Sequence, residues 1–494
     1  MLFNSIQYLI FFPVVTMVYF IIPHKYRYLW LLIGSYYFYM CWNPQYALLM
    51  LFSTAVTYIS GIMLSIPYRA EKREFWKRFW VAASFILNLS VLFFFKYFDF
   101  AFHFLERTLA AVGIGFVEQP FSLLLPVGIS FYTFQALSYT MDVYRKEIEP
   151  ERNFFRYALF VAFFPQLVAG PIERSKNLLQ QLREKHDFEY SRVRQGILTM
   201  AWGFFLKMVI SDRIALLVDT VYDNYWVYSG LEIALASVLF AFQIYTDFQG
   251  YSCIAIGGAE VMGFHLMENF DTPYFSMTVA EFWRRWHISL SSWFRDYLYI
   301  PLGGNRNGTA RKYGNIMLVF LLSGLWHGAS WHYVIWGGIN GAYQVVGELT
   351  KTLRMRIGRL IGVNEKRFSC RLARTIGTFL LVDLSWIFFR ANGTITAFRM
   401  IKRMLLSFNP WIFFDGGIFR LGLDEKDSFV LVASLLCLFA ASLCKYNKID
   451  LREKITEQGL WLRWSIYICA ILVILVFGVY GSGYDSAQFI YFQF

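Results

Sequence analysis

The side chain in this sequence that most clearly has the potential for chemistry is a histidine in a long stretch without charged residues. His327 lies within residues 314–347, which contain no Asp, Glu, Lys or Arg. A titratable ring at membrane depth is costly unless it is used or paired, so we interpret His327 as functional. It has the chemistry of a general base that takes a proton from an acceptor hydroxyl during attack on an acyl donor. The alternative is a buried histidine that is hydrogen-bonded to backbone.

Ser323 precedes His327 by one helical turn, which would place the two side chains on one face of a helix. Such a pair could act as nucleophile and base, although no carboxylate stands nearby in the sequence to orient the ring. His332 would point away from that face, and we predict that it packs. No ligand spacing typical of metal sites occurs, so no metal is expected, and the cysteines are interpreted as packed or free thiols.

A second histidine, His287, lies among bulky aromatic and cationic residues. Residues 282–291 have the sequence FWRRWHISLS, and Arg295 and Asp296 follow closely. A cationic patch of this kind could hold the phosphates of a nucleotide-like donor, but it is also typical of a helix lying in the membrane interface. We expect the following side chains to bind the donor or to line its path: Trp283, Arg284, Arg285, Ser289, Arg295, Asp296, Asn305, Ser323 and Trp326.

Three single acids, Asp142, Asp247 and Asp383, lie inside or at the edge of apolar segments. Each is costly there unless it is paired, so we predict structural pairing rather than catalysis. For Asp142 the predicted partner is Arg145 or another basic loop residue. For Asp247 it is an arginine within residues 284–295.

The elements that position these residues must lie in a membrane. The 494-residue chain is 57% hydrophobic and only 16% charged, with a mean hydropathy of +0.43. A soluble globular protein is less apolar than this. The formal net charge of +12 is carried by short loops between apolar segments rather than along one face. That distribution indicates charge bias of cytoplasmic loops and argues against a nucleic-acid partner.

Apolar runs of bilayer-spanning length predict an all-α, polytopic transmembrane protein with about ten full crossings. Barrel strands would need shorter segments of alternating polarity. The runs cover residues 3–22, 28–45, 46–66, 79–104, 122–143, 196–218, 231–256, 372–391, 428–444 and 460–480.

Two further apolar stretches have basic loops at both ends, so we predict that they enter the membrane and return. The first, residues 154–172, contains Pro165 and Pro171, and broken backbone at membrane depth is tolerated where protein or water covers it. The second is the hairpin 314–347. At helical rise its near limb places His327 about 20 Å from Gly314.

The charge pattern gives a predicted organisation and orientation. We expect one transmembrane domain, with the parts 1–262 (N-terminal helices), 263–313 (cytoplasmic interfacial region), 314–347 (active-site hairpin) and 348–494 (C-terminal helices and aromatic tail). The basic loops assigned to the cytoplasm are 69–78, 145–152, 174–194, 351–374 and, more weakly, 445–454. Alternation then places both termini outside the cytoplasm in a multi-pass protein of the cell membrane. A basic cluster at residues 399–403 breaks the rule and is interpreted as an interfacial helix.

Six motifs in the chain form a recognisable set. They are LPVGISFYTFQ (125–135), DVYR (142–145), FFPQLVAGPI (163–172), FWRRWHISLS (282–291), RDYLYIPLGGNR (295–306) and GLWHG (324–328). Together they resemble the motifs of the membrane-bound O-acyltransferase (MBOAT) family. Within that family the chain is similar to the AlgI-type membrane subunits of polysaccharide O-acetylation, over roughly residues 1–400 and the extreme C-terminus.

This resemblance implies a helical fold around a membrane-embedded catalytic tunnel. His327 occupies the position of the family's active-site histidine, and His287 that of the second characteristic one. The implied reaction takes an acyl group, above all acetyl from acetyl-CoA, at the cytoplasmic mouth, with no permanently bound cofactor. An extracytoplasmic SGNH-hydrolase-like partner would then acetylate a cell-envelope or secreted polysaccharide. The related teichoic-acid D-alanyl transferases, which use a carrier-protein thioester, are an alternative.

One segment departs from the family pattern, and another resembles the ending of the family's sequences. The family pattern DFSGYSD corresponds to DFQGYSC at residues 247–253, so Cys253 replaces an acid and the contacts of that acid are not expected. The chain ends FIYFQF, in which Tyr491 could dock the partner or carry the acyl group on its phenol, with a plain interfacial anchor as the alternative. Rival interpretations are a transporter or flippase, which inverted repeats would favour, and a scaffold for a secreted enzyme.

Overall fold

A computed structural model of the chain describes residues 1–113, 125–167, 170–480 and 490. Within these residues the regular secondary structure is helical and no β-strand occurs, as the apolar runs predict. Backbone polar groups in a bilayer must be satisfied by the segment that carries them, and a helix does this along its length. The chain divides into two compact units.

The first unit comprises Met1–Met200 and Ile254–Met267. Two of its helices begin at capping side chains, because Ser5 accepts a hydrogen bond from the Tyr8 amide and Asn153 accepts one from the Arg156 amide. The helices are α1 (Ile6–Ile21), α2 (His24–Met40), α3 (Tyr46–Ser65), α4 (Ala70–Ala111), α5 (Ile129–Tyr144), α6 (Phe154–Ala162), α7 (Phe164–Leu167), α8 (Ser175–Gln181) and α9 (Tyr190–Phe204).

The second unit comprises Ala201–Cys253 and Glu268–Phe494. A π-helical segment, Phe205–Ser211, leads from α9 into its first helix. The helices are α10 (Asp212–Asp223), α11 (Gly230–Met262), α12 (Val279–Arg285), α13 (Ile288–Phe294), α14 (Thr309–His327), α15 (Trp331–Leu349), α16 (Lys351–Leu360), α17 (Phe368–Arg390), α18 (Thr394–Leu406), α19 (Glu425–Tyr446), α20 (Leu451–Thr456) and α21 (Leu460–Phe477). The last turns of α11 belong to the first unit.

The apolar runs correspond to helices, most of them within a few residues of their predicted ends. Among the residues described, six helices are long and apolar enough to cross a membrane, namely α3, α4, α11, α17, α19 and α21. The protein is therefore a multi-pass membrane protein. The runs 3–22 and 28–45 form α1 and α2, of 16 and 17 residues, which are shorter than the predicted runs. The total of about ten crossings stays a prediction.

The stretch 154–172 is broken, as its prolines predict. Helix α6 ends at Ala162, and Phe163 leaves the helical conformation (ψ 110°) before the single turn of α7 begins. Pro165 cannot supply the amide that would continue the hydrogen-bonding pattern of α6. The side chains of Phe160 to Phe164 are fully buried, so protein covers this break in the helix.

The stretch 314–347 forms a helical hairpin, α14 followed by α15. Helix α14 starts at Thr309, five residues before the uncharged run, so the apolar boundary is not the helix boundary. The two helices approach closely at glycines. A β-carbon at Gly324 would lie 2.2 Å from the Tyr333 carbonyl oxygen, and one at Gly337 would lie 2.2 Å from that of Phe320. Only glycine permits this separation, and it brings the end of α14 against α15.

Loops predicted to share the cytoplasmic side contact one another within each unit. In the first unit, Arg183 pairs with Glu151 at 2.8 Å, and the Tyr144 hydroxyl donates to Glu74 at 3.2 Å. In the second unit, Lys445 pairs with Glu268 at 2.6 Å. The loops that are joined by these contacts therefore lie at the same end of their unit.

The basic cluster 399–403 lies on α18, a 13-residue helix with two faces. Ala397 and Met400 are buried, whereas Phe398 and Leu405 are exposed. At about 1.5 Å per residue such a helix is too short to cross a bilayer. The structure thus shows a short helix at this position, and its location in the membrane interface stays a prediction.

Candidate active site

His327 is the last residue of α14 and is almost fully buried, with 4% of its surface exposed. The helix stops there because Gly328 adopts extended backbone, and α15 begins soon after, with Ser330 as its N-cap residue. Aromatic rings surround the imidazole. The ring centroid of Trp336 lies 5.1 Å away and that of Phe389 lies 5.4 Å away. The hairpin turn thus holds the imidazole between α15 and α17.

His287 lies between α12 and α13 in a left-handed backbone conformation, with φ at 43°. A histidine at positive φ persists only where the surrounding structure enforces it. The segment before α12 enforces it here. The Ile288 amide donates to the Asn269 carbonyl oxygen at 2.9 Å, and the Asp271 amide donates to the Arg285 carbonyl oxygen at 3.0 Å.

Asn269 fixes the same turn through its side chain. Its Oδ1 accepts the Ser289 hydroxyl at 2.6 Å, and its Nδ2 donates to the Ser252 hydroxyl on α11 at 2.9 Å. Asn269, Ser289 and Ser252 are all buried. A buried polar network of this kind specifies one geometry when its members are satisfied. Ser289, predicted to contact the donor, therefore supports the His287 turn.

The turn brings His287 to His327. Their ring centroids are 6.5 Å apart, and Phe248 on α11 packs edge-on against His287 at 4.6 Å. Trp326 contacts both imidazoles, at 6.1 Å from His287 and 4.9 Å from His327. Two buried imidazoles this close are near enough for both to contact one small polar group.

A second layer of aromatic residues supports this pair. The Trp283 indole donates to Asn340 Oδ1 at 3.2 Å, and Asn340 Nδ2 donates to the Trp336 carbonyl oxygen at 2.9 Å. Trp336 in turn stacks on Trp386 at 5.6 Å. The sequence interpretation missed Trp336, Asn340 and Trp386, since a fifth of the chain is aromatic and only tertiary packing selects these rings.

The segment around Trp283 differs from the predicted single helix lying in the membrane interface. The positive φ of His287 ends α12 and makes a sharp turn. Trp283, Trp286 and His287 are buried against the rest of the second unit. The composition alone did not indicate this because a buried aromatic turn and an interfacial helix share the same residue types.

The predicted cationic residues lie in different environments. Arg285 pairs with Glu281 at 3.0 Å and donates to Thr272 at 3.2 Å, so its charge is committed locally. Arg284 and Arg295 are exposed. Arg295 pairs with Asp296 at 2.8 Å, and this hydrogen bond raises the pKa of Arg295.

The remaining predicted residues lie in separate parts of the structure and differ in burial. Asn305 is exposed in the turn formed with Gly303 and Gly304, both at positive φ. Ser323 is buried one turn before His327 on α14, with 6% of its surface exposed. Tyr491 lies outside the described residues. His332 packs as predicted, and its Nδ1 lies 2.9 Å from the Phe388 carbonyl oxygen.

The prediction for Asp247 was wrong. Its partner is Lys207 at 2.7 Å, rather than an arginine within 284–295, and Lys207 also pairs with Asp212 at 2.7 Å. The three side chains are buried together, and the Ile490 amide donates to Asp247 Oδ2 at 2.8 Å. Lys207 follows α9 in the π-helical segment, and a sequence pattern does not show which distant helix faces which.

The other acids are also engaged in structural contacts, as predicted. Asp142 accepts a hydrogen bond from the Ser175 hydroxyl, and Asp383 accepts one from the Ser237 hydroxyl at 3.2 Å. Cys253, where the family pattern has an acid, is buried and accepts a hydrogen bond from Gln249 at 3.2 Å. Hydroxyl groups thus contribute to the pairing of Asp142 and Asp383, and the basic partner expected for Asp142 stays a prediction.

Comparison with known proteins shows the class to which this site belongs. Residues 145–358 match the model of MBOAT, the membrane-bound O-acyltransferase family. A probable alginate O-acetylase AlgI of Pseudomonas putida is 35% identical over the full length of both chains. The corresponding protein of Pseudomonas aeruginosa is 39% identical over 83% of this chain and 76% of its own. A peptidoglycan O-acetyltransferase of Helicobacter pylori is 33% identical over 76% of this chain and 73% of its own.

The matched region includes both histidines, and the similarity to one relative extends over the whole chain. The chain belongs to the membrane-bound O-acyltransferase family and is an O-acyltransferase.

Proposed function

We propose that this protein takes an acetyl group from acetyl-CoA at the cytoplasmic face and makes it available for O-acetylation of a cell-envelope or secreted polysaccharide. The observation that carries the proposal is the pair His287 and His327, 6.5 Å apart in a buried aromatic site. The relatives support the substrate class, because they are described as acetylases of alginate or peptidoglycan.

In the proposed reaction His327 is the general base. It removes the proton from an acceptor hydroxyl as that oxygen attacks the thioester carbonyl, the carbon–sulfur bond breaks, and the thiolate of CoA leaves. The indole and phenyl rings around His327 exclude water, which would otherwise hydrolyse the thioester. His287, whose ring lies 6.5 Å from that of His327, would bind the carbonyl or the acceptor oxygen through a ring N–H. Ser323 is the alternative acceptor, one turn away on α14.

The donor would approach from the side of Arg284 and Arg295. Both guanidinium groups are exposed, and the planar guanidinium binds phosphate oxygens in pairs. The pyrophosphate and ribose phosphate of CoA would be held there while the pantetheine arm carries the thioester inward. Asp296 orients Arg295 through its hydrogen bond, and Asn305 offers a polar group in the neighbouring exposed turn.

For the acceptor side, we propose an extracytoplasmic partner similar to SGNH hydrolases. The chain would have the membrane orientation that its basic loops predict. Tyr491 would either dock this partner or carry the acetyl group to it as a phenyl ester. A D-alanyl transferase that takes its donor from a carrier protein is the nearest alternative. A transporter that binds substrate in the same place is the alternative of another class.

The first experiment measures CoA release and acetyl transfer by the purified full chain. Replacing His327 by Ala should slow thioester cleavage about 100-fold or more, the usual contribution of a general base. The control is His103→Ala, because His103 is an exposed histidine in the first unit that pairs with its neighbour Glu106 at 3.2 Å. An unchanged rate in a folded His327→Ala protein would contradict the proposed role.

The donor can be tested in the same assay. Cleavage of a D-alanyl carrier-protein thioester without cleavage of acetyl-CoA would favour the D-alanyl alternative. Absence of chemistry with either thioester, together with substrate uptake into vesicles, would favour a transporter.

A further inference from the structure

A cavity of about 320 Å³ lies within the first unit, among residues that the proposed reaction does not use. Three cations line it, Lys25, Arg27 and Arg156, against one acid, Glu184. The remaining lining is aromatic or apolar apart from His24, and it includes Tyr19, Tyr28, Leu31, Leu182 and Phe264. We propose that this cavity binds the phosphate of an anionic phospholipid headgroup.

Arg27 builds the cavity rather than binding its contents. Its guanidinium donates to the carbonyl oxygens of Ile22 at 2.9 Å, His186 at 2.6 Å and Phe20 at 3.2 Å. These bonds cap the end of α1 and tie it to the loop before α9. The charge of Arg27 remains and favours an anion, although these bonds occupy three of its five N–H donors.

Arg156 retains donor capacity toward the cavity. Its Nη1 lies 3.4 Å from Glu151, at the long end of hydrogen-bond distances, and Glu151 is shared with Arg183 at 2.8 Å. The Arg156 Nε is buried and has no hydrogen-bond partner among the described residues. A buried guanidinium N–H is costly to leave unpaired. The Arg156 side chain is a quarter exposed, so its guanidinium can form a charge-assisted hydrogen bond with a phosphate oxygen.

The start of α2 adds a second source of positive potential. His24 and Lys25 form its first turn, and Pro23, which precedes them, has no side-chain acceptor that could cap the helix. The amides of that turn carry the positive end of the helix dipole, which favours an anion. Lys25 is exposed, with its ammonium 4.8 Å from the Tyr26 ring, so it can move onto a ligand at little cost.

Exposed apolar side chains around the cavity indicate a lipid rather than a free phosphate. Ile21 is 80% exposed, and Tyr26, Phe188 and Tyr190 are between 50% and 63% exposed. Such residues beside lysine and arginine are typical of the level where headgroups meet acyl chains. The cavity would hold the phosphate, and these side chains would contact the acyl chains.

The test measures binding of dioctanoyl phosphatidylglycerol to the full chain in neutral detergent by native mass spectrometry. Arg156→Gln and Lys25→Gln should each weaken binding roughly fivefold, about 1 kcal/mol per cation at a membrane surface. The matched control is Arg152→Gln, which removes the same charge from an exposed neighbour outside the cavity and should leave affinity unchanged. Circular dichroism and gel filtration confirm that each variant is folded.

Two further probes distinguish the source of the phosphate. Dioctanoyl phosphatidylcholine, whose headgroup has no net charge, should bind more weakly than phosphatidylglycerol. Inorganic phosphate should compete only at far higher concentration. Equal affinity of all variants for phosphatidylglycerol would overturn the proposal, and so would competition by inorganic phosphate at the same concentration as the lipid. Lys25→Gln carries the test if Arg156→Gln fails to fold.

Discussion

At the scale of single residues, the site depends on a histidine held in an unfavourable backbone conformation. His287 at φ 43° is stable only because the Asn269 backbone and side chain bridge the turn to Ser289 and Ser252. The sequence showed both histidines by their unusual surroundings, but it contained no sign of Asn269. An asparagine in a loop is common, and the role of Asn269 comes from contacts across the fold.

Replacing Asn269 by Leu should therefore reduce activity more than stability. The variant leaves two buried hydroxyls unpaired, a cost of about 1–3 kcal/mol, and lets the His287 turn shift. A displacement of about 1 Å at the chemistry lowers turnover roughly 100-fold. Thermal unfolding and acetyl-CoA cleavage, measured on the same sample, check this.

Asn88→Leu provides the control for that experiment. Asn88 is equally buried and accepts a hydrogen bond from Ser53, but it lies on α4 in the other unit. It should lose a similar amount of stability and keep its turnover per folded molecule. Equal losses of turnover in the two variants would mean that Asn269 has only a structural role.

At the scale of helices, the sequence predicts which segments are helical better than it predicts how those helices pack against one another. Apolar runs such as 46–66 and 460–480 end close to the observed α3 and α21, because spanning length and turn residues fix them. The hairpin 314–347 was also predicted, from the basic loops at both ends. The turn at His287 and the pairing of Asp247 with Lys207 were not, since both depend on which helices meet.

The close packing of the hairpin predicts the effect of replacing Gly337. Ala at this position would place a methyl group against the Phe320 carbonyl oxygen, so α14 and α15 must separate and His327 must move. Overpacking of this kind costs about 1–3 kcal/mol. We expect a lower unfolding temperature in detergent and a loss of thioester cleavage.

Gly347 is the matched control on the same helix, since a β-carbon there meets nothing within 4 Å. Gly347→Ala should keep full activity and gain up to about 1 kcal/mol from helix propensity. If Gly337→Ala behaved in the same way, close packing of the hairpin would not be what positions His327.

At the scale of the whole molecule, Val479 and Ile490 contact the rest of the second unit near the helix that supports the site. The Val479 amide donates to the Met208 carbonyl oxygen at 2.9 Å, and the Ile490 amide donates to Asp247. Phe248, the next residue of α11, contacts His287 at 4.6 Å. A buried ion pair costs desolvation energy and is retained in some proteins because it enforces one arrangement. Asp247 and Lys207 would in this way hold Ile490 at a fixed place on α11.

The proposed acyl relay can therefore be tested directly at Tyr491, the residue after Ile490. If its phenol carries the acetyl group, Tyr491→Phe should keep acetyl-CoA binding but lose transfer to the polysaccharide, since phenylalanine has no oxygen to acylate. Mass spectrometry of the wild-type chain, quenched in acid during turnover, should find acetyl on Tyr491, and Tyr480→Phe should leave transfer unchanged. Full transfer by Tyr491→Phe would exclude the relay, because a chain without that hydroxyl must pass the acetyl group from the His327 site straight to the acceptor.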